Sequence, residues 1–268
     1  MTPQNGPKTV QNPEHFSDPS PVSPHEITLN PIGLLHSPFT SKFGLPRQSG
    51  LIHSAPAHVE LVPPYNVADA VRGLEGFSHL WLIFAFHEHL DRPWQPLIRP
   101  PGLGGNIKTG VFASRSSFRP NHLGMSVVKL LRTEISDAGI RLHISCPDIV
   151  SGTPIYDIKP YLAYADRVDD SIDGYAPTPP PACLSVSFSS LAEAEIAALS
   201  VQTYSALREL IREVLSLDPR PPYKGDADDK IYRMALYDLD VEWCVAEGEA
   251  RVLRVRVNSR DDLESIPT

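Results

Sequence analysis

Ser126-Val-Val-Lys-Leu-Leu131, Asp137-Ala-Gly139 and Ile140-Arg-Leu-His-Ile-Ser145 decide the fold. The first and last are short runs rich in aliphatic and β-branched residues. The last alternates apolar with polar side chains, the period-2 mark of a half-buried strand. Asp137-Ala-Gly139 supplies the residue types of a hairpin turn between them. The same pattern continues outward: Ile32-Gly-Leu-Leu-His36, Leu80 to Phe86 and Thr109 to Ala113 also read as strands, separated by Gly, Pro and Asn. Asn66 to Leu74 is the one stretch here that reads as a short helix. Many short strands, frequent turn signals and little helix predict a mainly β fold, a small antiparallel barrel over residues 27–167.

Beyond the barrel the punctuation changes. Val168-Asp-Asp-Ser-Ile-Asp-Gly174 and Pro177-Thr-Pro-Pro-Pro181 cannot continue a sheet, so residues 168–184 read as a Pro-rich linker. Leu184 to Phe188 looks like a strand, and Ser190-Leu-Ala-Glu193 is a capping box that opens a helix. Ile196, Leu199, Leu207, Leu210, Ile211 and Val214 continue it at helical spacing up to Asp218-Pro219. Ile231 to Trp243 and Ala250 to Val257 then read as a hairpin, making residues 185–260 a small α+β C-terminal module. Residues 1–26 are rich in Pro, Asn, Ser and acid and read as a disordered tail, with a second tail at 261–268. The linker leads to the expectation that a chain ending near Ala176 keeps its ligand-binding half intact.

Composition bounds the function. A chain of 268 residues can bury a sizeable core. Its longest apolar run, Leu80 to Phe86, has strand length rather than membrane-spanning length. The N-terminal tail lacks the order of a secretory or transit signal. Cys146, Cys183 and Cys244 are odd in number and without Cys-x-x-Cys spacing, which argues against a disulfide framework and a structural zinc and suits a cytoplasmic protein. The net charge of −8 is unevenly spread: residues 31–168 carry 13 bases and 10 acids, whereas residues 169–268 carry 10 bases and 19 acids. The mildly basic middle permits nucleic-acid contact through one face without requiring it.

Four polar stretches are candidates for a site. Thr109 to Met125 places Arg115, Ser116, Ser117, Arg119, Asn121 and His122 on a loop fixed by Pro120 and Gly124. Guanidinium forks of this kind suit carboxylates and phosphates, although the spacing alone fits a surface turn equally well. Asp148 to Tyr161 again gathers carboxylates, Gly, Thr and Pro around short apolar pairs. Pro46-Arg47-Gln48 sets a planar cation beside an amide, and Asp218-Pro-Arg-Pro-Pro-Tyr223 offers Arg220 and Tyr223 on a stiffened loop. His87 and His89 could face one way and hold a metal, but no third ligand stands nearby, so hydrogen-bonded histidines and no metal are expected. Gly102-Leu-Gly-Gly105 follows two prolines rather than a strand, which argues against a Rossmann cofactor turn, and no Walker loop or nucleophile elbow is present.

In their order along the chain, these residues resemble a known family. Ile32-Gly33, Ser37-Pro-Phe39, Pro46-Arg-Gln48, Asp69-Ala-Val-Arg-Gly-Leu-Glu75, Phe77-Ser-His-Leu-Trp81, Arg99-Pro-Pro, Gly110-Val-Phe-Ala113, Arg115-Ser116, Phe118-Arg-Pro-Asn121, Gly152-Thr-Pro154 and Asp157-Ile-Lys-Pro-Tyr161 are similar to the motifs of the TsaA-like, or TrmO, tRNA methyltransferases. The likeness resumes in Ile211-Arg-Glu-Val-Leu215 and Asp218-Pro-Arg-Pro.

The resemblance implies an S-adenosylmethionine-dependent homodimer that methylates N6 of threonylcarbamoyladenosine at position 37 of threonine tRNA. It also implies a cofactor site of Pro46, Arg47, Gln48, His87, Glu88, Arg115, Asp148, Ile149, Val150, Ser151, Gly152 and Thr153. Arg119, Asn121, Lys159, Tyr161, Arg220 and Tyr223 are candidates for the substrate, and Asp157 or His122 for accepting the N6 proton. Two positions depart from the family pattern: His122-Leu123 stands where Pro-Ile is usual, and Ser151 where an acid is usual. The alternatives are a methyltransferase for another tRNA or a small molecule, and a non-catalytic RNA-binding barrel.

Overall fold

The computed structural model describes residues 27–104, 106–145, 147–202, 204, 206–221 and 228–258. The expected tails at 1–26 and 261–268, and Tyr223, lie outside these residues. Alternating burial along the strands builds the first half. Six of them, β1 (Gly33–His36), β2 (Pro56–Leu61), β3 (His79–Ala85), β6 (Leu123–Ser136), β7 (Gly139–Ser145) and β8 (Pro154–Pro160), close into a barrel in the order β1-β2-β7-β6-β3-β8. Every neighbouring pair is antiparallel, although only β6 and β7 are joined by a tight turn. Leu35, Val59, Leu80, Leu82, Leu142, Ile144 and Ile155 point inward and fill the barrel. The hairpin over Asp137-Ala-Gly139 forms as predicted, with Ser136 opposite Gly139.

Several segments differ from the expectation. Thr109 to Ala113 is only briefly extended: β5 (Thr109–Gly110) pairs with β4 (Leu97–Ile98), and Val111–Ala113 turns into a 3-10 turn. Asn66 to Leu74 is not one helix but two 3-10 turns, Ala68–Val71 and Leu74–Gly76, parted by Gly73 at φ +84°. β2 and β8 lie outside the predicted strands: the alternation of Ala57, Val59 and Leu61 with His58 and Glu60 spans only six residues beginning at Pro56, and β8 begins and ends at a proline. After β8 comes α1 (Ala163–Asp166), and residues 167–184 hold neither helix nor strand and are mostly exposed.

The C-terminal sheet has the order β10-β11-β12-β9, built from β9 (Ser185–Phe188), β10 (Asp228–Leu236), β11 (Leu239–Ala246) and β12 (Glu249–Val257). A turn at Tyr237, φ +57°, splits the first arm of the expected hairpin into β10 and β11. The expected single helix is likewise two, α2 (Ser190–Gln202) and α3 (Leu207–Ser216), with Ala206 at φ +61° between them. The cap of α2 is Ser189, one residue before the predicted Ser190; its Oγ accepts the Ala192 N–H at 3.0 Å.

The connection between β1 and β2 ties the two halves together. It leaves the barrel and buries Phe39, Ile52 and Ala55 in the core of the C-terminal sheet, beside Leu210, Val214, Met234 and Trp243. The Tyr237 N–H donates to the Pro38 carbonyl, and Glu213 Oε2 on α3 accepts the His53 and Ser54 N–H groups at 2.8 Å each. Gly44 sits against Met234: a Cβ there would lie 2.5 Å from Sδ, and φ is +92°. Residues from Pro31 onward accordingly form one compact unit.

Candidate active site

Where β3 ends and β6 begins, the barrel opens into a cleft of about 660 Å³. Its apolar wall is Ile83, Phe84, Phe86, Leu123 and Met125. The Phe84 ring occupies the space over Gly124 on the paired strand, where a Cβ would lie 2.4 Å from ring carbons. Glycine is thus required for the aromatic to floor the cleft. The opposite wall comes from the β1–β2 connection, through Lys42, Leu45, Pro46, Arg47 and Gln48. That wall is backed by the C-terminal sheet and tied to the barrel by Ser49, whose Oγ donates to the Val127 carbonyl.

Polar groups enter from three loops. Arg115 Nη1 donates to Gln48 Oε1 at 2.5 Å, joining the 111–119 loop to the Pro-Arg-Gln turn. His87 and Glu88 lie on a 3-10 turn after β3, and His87 Nδ1 is 3.1 Å from Thr153 Oγ1. Lys42 Nζ lies 2.9 Å from His89 Nε2 and 3.4 Å from Glu88 Oε2. Burial, with Lys42 and Arg92 nearby, holds His89 below the ordinary histidine range, so its ring accepts from the ammonium. Asp148 is the most unusual group. Its Oδ1 is buried without a hydrogen-bond partner among the described residues. Burial pushes its proton affinity up, against the opposing pull of the Ser126 hydroxyl, the Ser49 N–H and the Arg115 charge.

Of the residues expected at a cofactor, Pro46, Arg47, Gln48, His87, Glu88, Arg115, Asp148, Ile149, Val150 and Thr153 line the cleft together. Ser151 and Gly152 do not line it. They fasten β1 instead: the Ser151 N–H donates to the Phe39 carbonyl, the Gly152 N–H to the Leu35 carbonyl, and Ser151 Oγ accepts from the Ser37 N–H. Arg119 lines the cleft but spends its Nη1 on the Val111 and Ser114 carbonyls, at 3.2 and 2.7 Å.

The remaining candidates stand elsewhere. His122 adopts φ +50° and its Nδ1 contacts the Ser117 carbonyl at 3.1 Å, so that nitrogen carries the proton. Asn121 is exposed beside it. Asp157 lies on β8 opposite Ile83, with Oδ1 accepting the Ile158 N–H at 2.9 Å. Lys159 and Tyr161 follow on the same strand line, and Tyr161 packs near His79 and Trp81. Neither proton-acceptor candidate therefore reaches the cleft. Arg220 is not presented to a surface either: it is 4% exposed, and its Nε and Nη2 grip Asp218 at 2.8 Å each.

Sequence reasoning missed Lys42, Ser114 and Ser126 as lining residues. Only Ser126 carried a signal, a hydroxyl at a core-facing position of an otherwise apolar strand.

The fold and cleft define a class: a β-barrel protein, not a Rossmann one, with a cleft lined by both charged and apolar side chains. The model of the tRNA-methyltransferase O N-terminal domain matches residues 34–167, and that of the TrmO C-terminal domain matches residues 181–258. The chain belongs to the tRNA-methyltransferase O family. It is 46% identical over 218 residues to the tRNA (adenine(37)-N6)-methyltransferase of Escherichia coli strain K12, covering 81% of this chain and 92% of that one. A protein of the same name from Eikenella corrodens is 43% identical over 176 residues, 66% of this chain and 95% of its own length. The crystal structure of TrmO from Pseudomonas aeruginosa superposes with a TM-score of 0.71 at 38% identity, covering 86% of this chain and 98% of that chain. Among the described residues no helix is long and apolar enough to cross a membrane.

Proposed function

We propose that this chain methylates N6 of adenosine 37 in tRNA, with threonylcarbamoyladenosine of threonine tRNA as its substrate and the cleft as its S-adenosylmethionine site. The family is one of S-adenosylmethionine-dependent tRNA (adenine37-N6)-methyltransferases. The residues fit that cofactor chemically. Arg47 and Arg115 suit its carboxylate, Glu88 its ammonium, and Phe84, Ile149 and Val150 its adenine. When bound, S-adenosylmethionine supplies a methyl carbon on a positively charged sulfur, open to in-line displacement.

The chain's own part is to align the acceptor nitrogen, exclude water and take the proton that N6 releases. The observation that carries the reading is Asp148: a buried carboxyl oxygen without a partner among the described residues, in a cleft that also holds three guanidinium groups. Its raised proton affinity suits a proton acceptor working near neutral pH better than an ordinary aspartate would. We assign it that role in place of Asp157 and His122. A homodimer is the working form we infer, with the exposed Leu131 and Ile135 of β6 among the apolar side chains a second copy would cover.

The test is transfer of labelled methyl from S-adenosylmethionine to total tRNA, followed by nucleoside mass analysis. Methylated threonylcarbamoyladenosine confined to threonine tRNA is the expected product. Label in unmodified adenosine or in another tRNA would redirect the substrate. Cofactor binding with no transfer would favour the RNA-binding barrel.

A further inference from the structure

On the outer face of the barrel, three neighbouring strands set three histidines in a row. His36 on β1 stands opposite His58 on β2, and His58 stands opposite His143 on β7. Side chains two apart on a strand share a face, so Glu60 joins His58 there. The His36 and His58 rings stack at 4.7 Å and 16°, and His143 lies 5.7 Å beyond at 36°. His36 Nε2 is 3.7 Å from Glu60 Oε2, and donor atoms of His36, His58 and Glu60 all lie within 4.8 Å of one another. None of these residues lines the cleft.

Cross-strand stacking alone would stabilise the sheet without a carboxylate converging on two imidazoles. Two imidazoles and a glutamate on one sheet face are the donor set of three-ligand zinc sites with an open fourth position. The outer groups complete the arrangement: Glu134 Oε2 holds His143 Nε2 at 2.8 Å, and Arg141 Nε lies 3.5 Å from Glu60 Oε2. His36 and Glu60 are 45% and 37% exposed, leaving them room to rotate to zinc distances of about 2 Å.

We propose that His36, His58 and Glu60 bind one Zn²⁺ on the outer face of β1 and β2, with His143 as a positioning residue beside it. The expectation of no metal weighed the three cysteines and the pair His87 and His89, not this cluster. This cluster escapes a sequence reading because the short alternation of β2 does not reveal its register with β1, 20 or more residues away.

The test is competition for Zn²⁺ between a chromophoric chelator and the tag-free full chain, with Co²⁺ as a spectroscopic substitute. One ion per chain is expected, with the visible bands of cobalt bound by nitrogen and oxygen and no thiolate charge-transfer band. His36→Gln and Glu60→Gln each weaken binding at least about tenfold. Both variants also lose a zinc-dependent rise in melting temperature that the parent shows. These two substitutions sit on half-exposed side chains, so folding is checked by their metal-free melts; His58→Gln is the more severe third variant. Absence of saturable binding, a thiolate band from Cys183 or Cys244, or binding unmoved by both exposed-site variants would each overturn the site and leave an adventitious ion only.

Discussion

Burial raises the proton affinity of Asp148, so the folded protein keeps that proton over a pH range in which the unfolded chain has released it. The stability linked to this group is therefore present at acid pH and declines as pH rises through the folded value. Asp148→Asn removes the dependence: its melting temperature relative to the parent should rise between acid and neutral pH. Melts of both proteins across that range decide it, and a constant difference sinks the assignment. The same substitution should lower turnover on tRNA by roughly 10²–10⁴-fold while cofactor binding persists, the loss typical of a general base. Arg115→Ala should weaken S-adenosylmethionine binding by about 1.5–3 kcal/mol by calorimetry, with Arg115→Lys recovering part of it. Unchanged affinity would remove Arg115 from the site. Most cleft residues were legible in the sequence because their chemistry and order match a family pattern. Arg220 was misread because an arginine between prolines looks presented, whereas Asp218, at φ +45°, turns back to hold it in the interior.

At the scale of elements, the connection between β1 and β2 decides whether the cleft exists. Gly44 does not line the cleft, yet a side chain there would collide with Met234 and would need a left-handed backbone. Gly44→Ala should cost about 1–3 kcal/mol of stability, the range for overpacking, and should weaken cofactor binding without touching the ligand. Thermal melts and calorimetry on one preparation check both. Normal affinity would mean that Pro46, Arg47 and Gln48 are placed by the barrel alone. The β6–β7 hairpin was legible because its contacts are local and its alternation is clean. The role of residues 37–55 was not, since their partners lie about 160 residues away and a sequence window carries no trace of that distance.

For the whole molecule, the Pro-rich stretch suggests a hinge between independent halves, but the buried Phe39, Ile52 and Ala55 belong to the far sheet. The expectation for a chain ending near Ala176 therefore changes. Its barrel should still melt cooperatively, while its affinity for S-adenosylmethionine should fall at least tenfold because one wall of the cleft has lost its support. Full affinity in a folded fragment would restore the picture of separable parts. The shared connection also sets a timetable for biosynthesis. A ribosome adding roughly 5–20 residues per second completes the six barrel strands well before it reaches Glu213 and the last strand of the second sheet. Until those residues emerge, His53 and Ser54 have no carboxylate to dock on, and Pro46 to Gln48 are held from the barrel side alone. The nascent barrel consequently waits for the second sheet before one wall of its cleft has its full support.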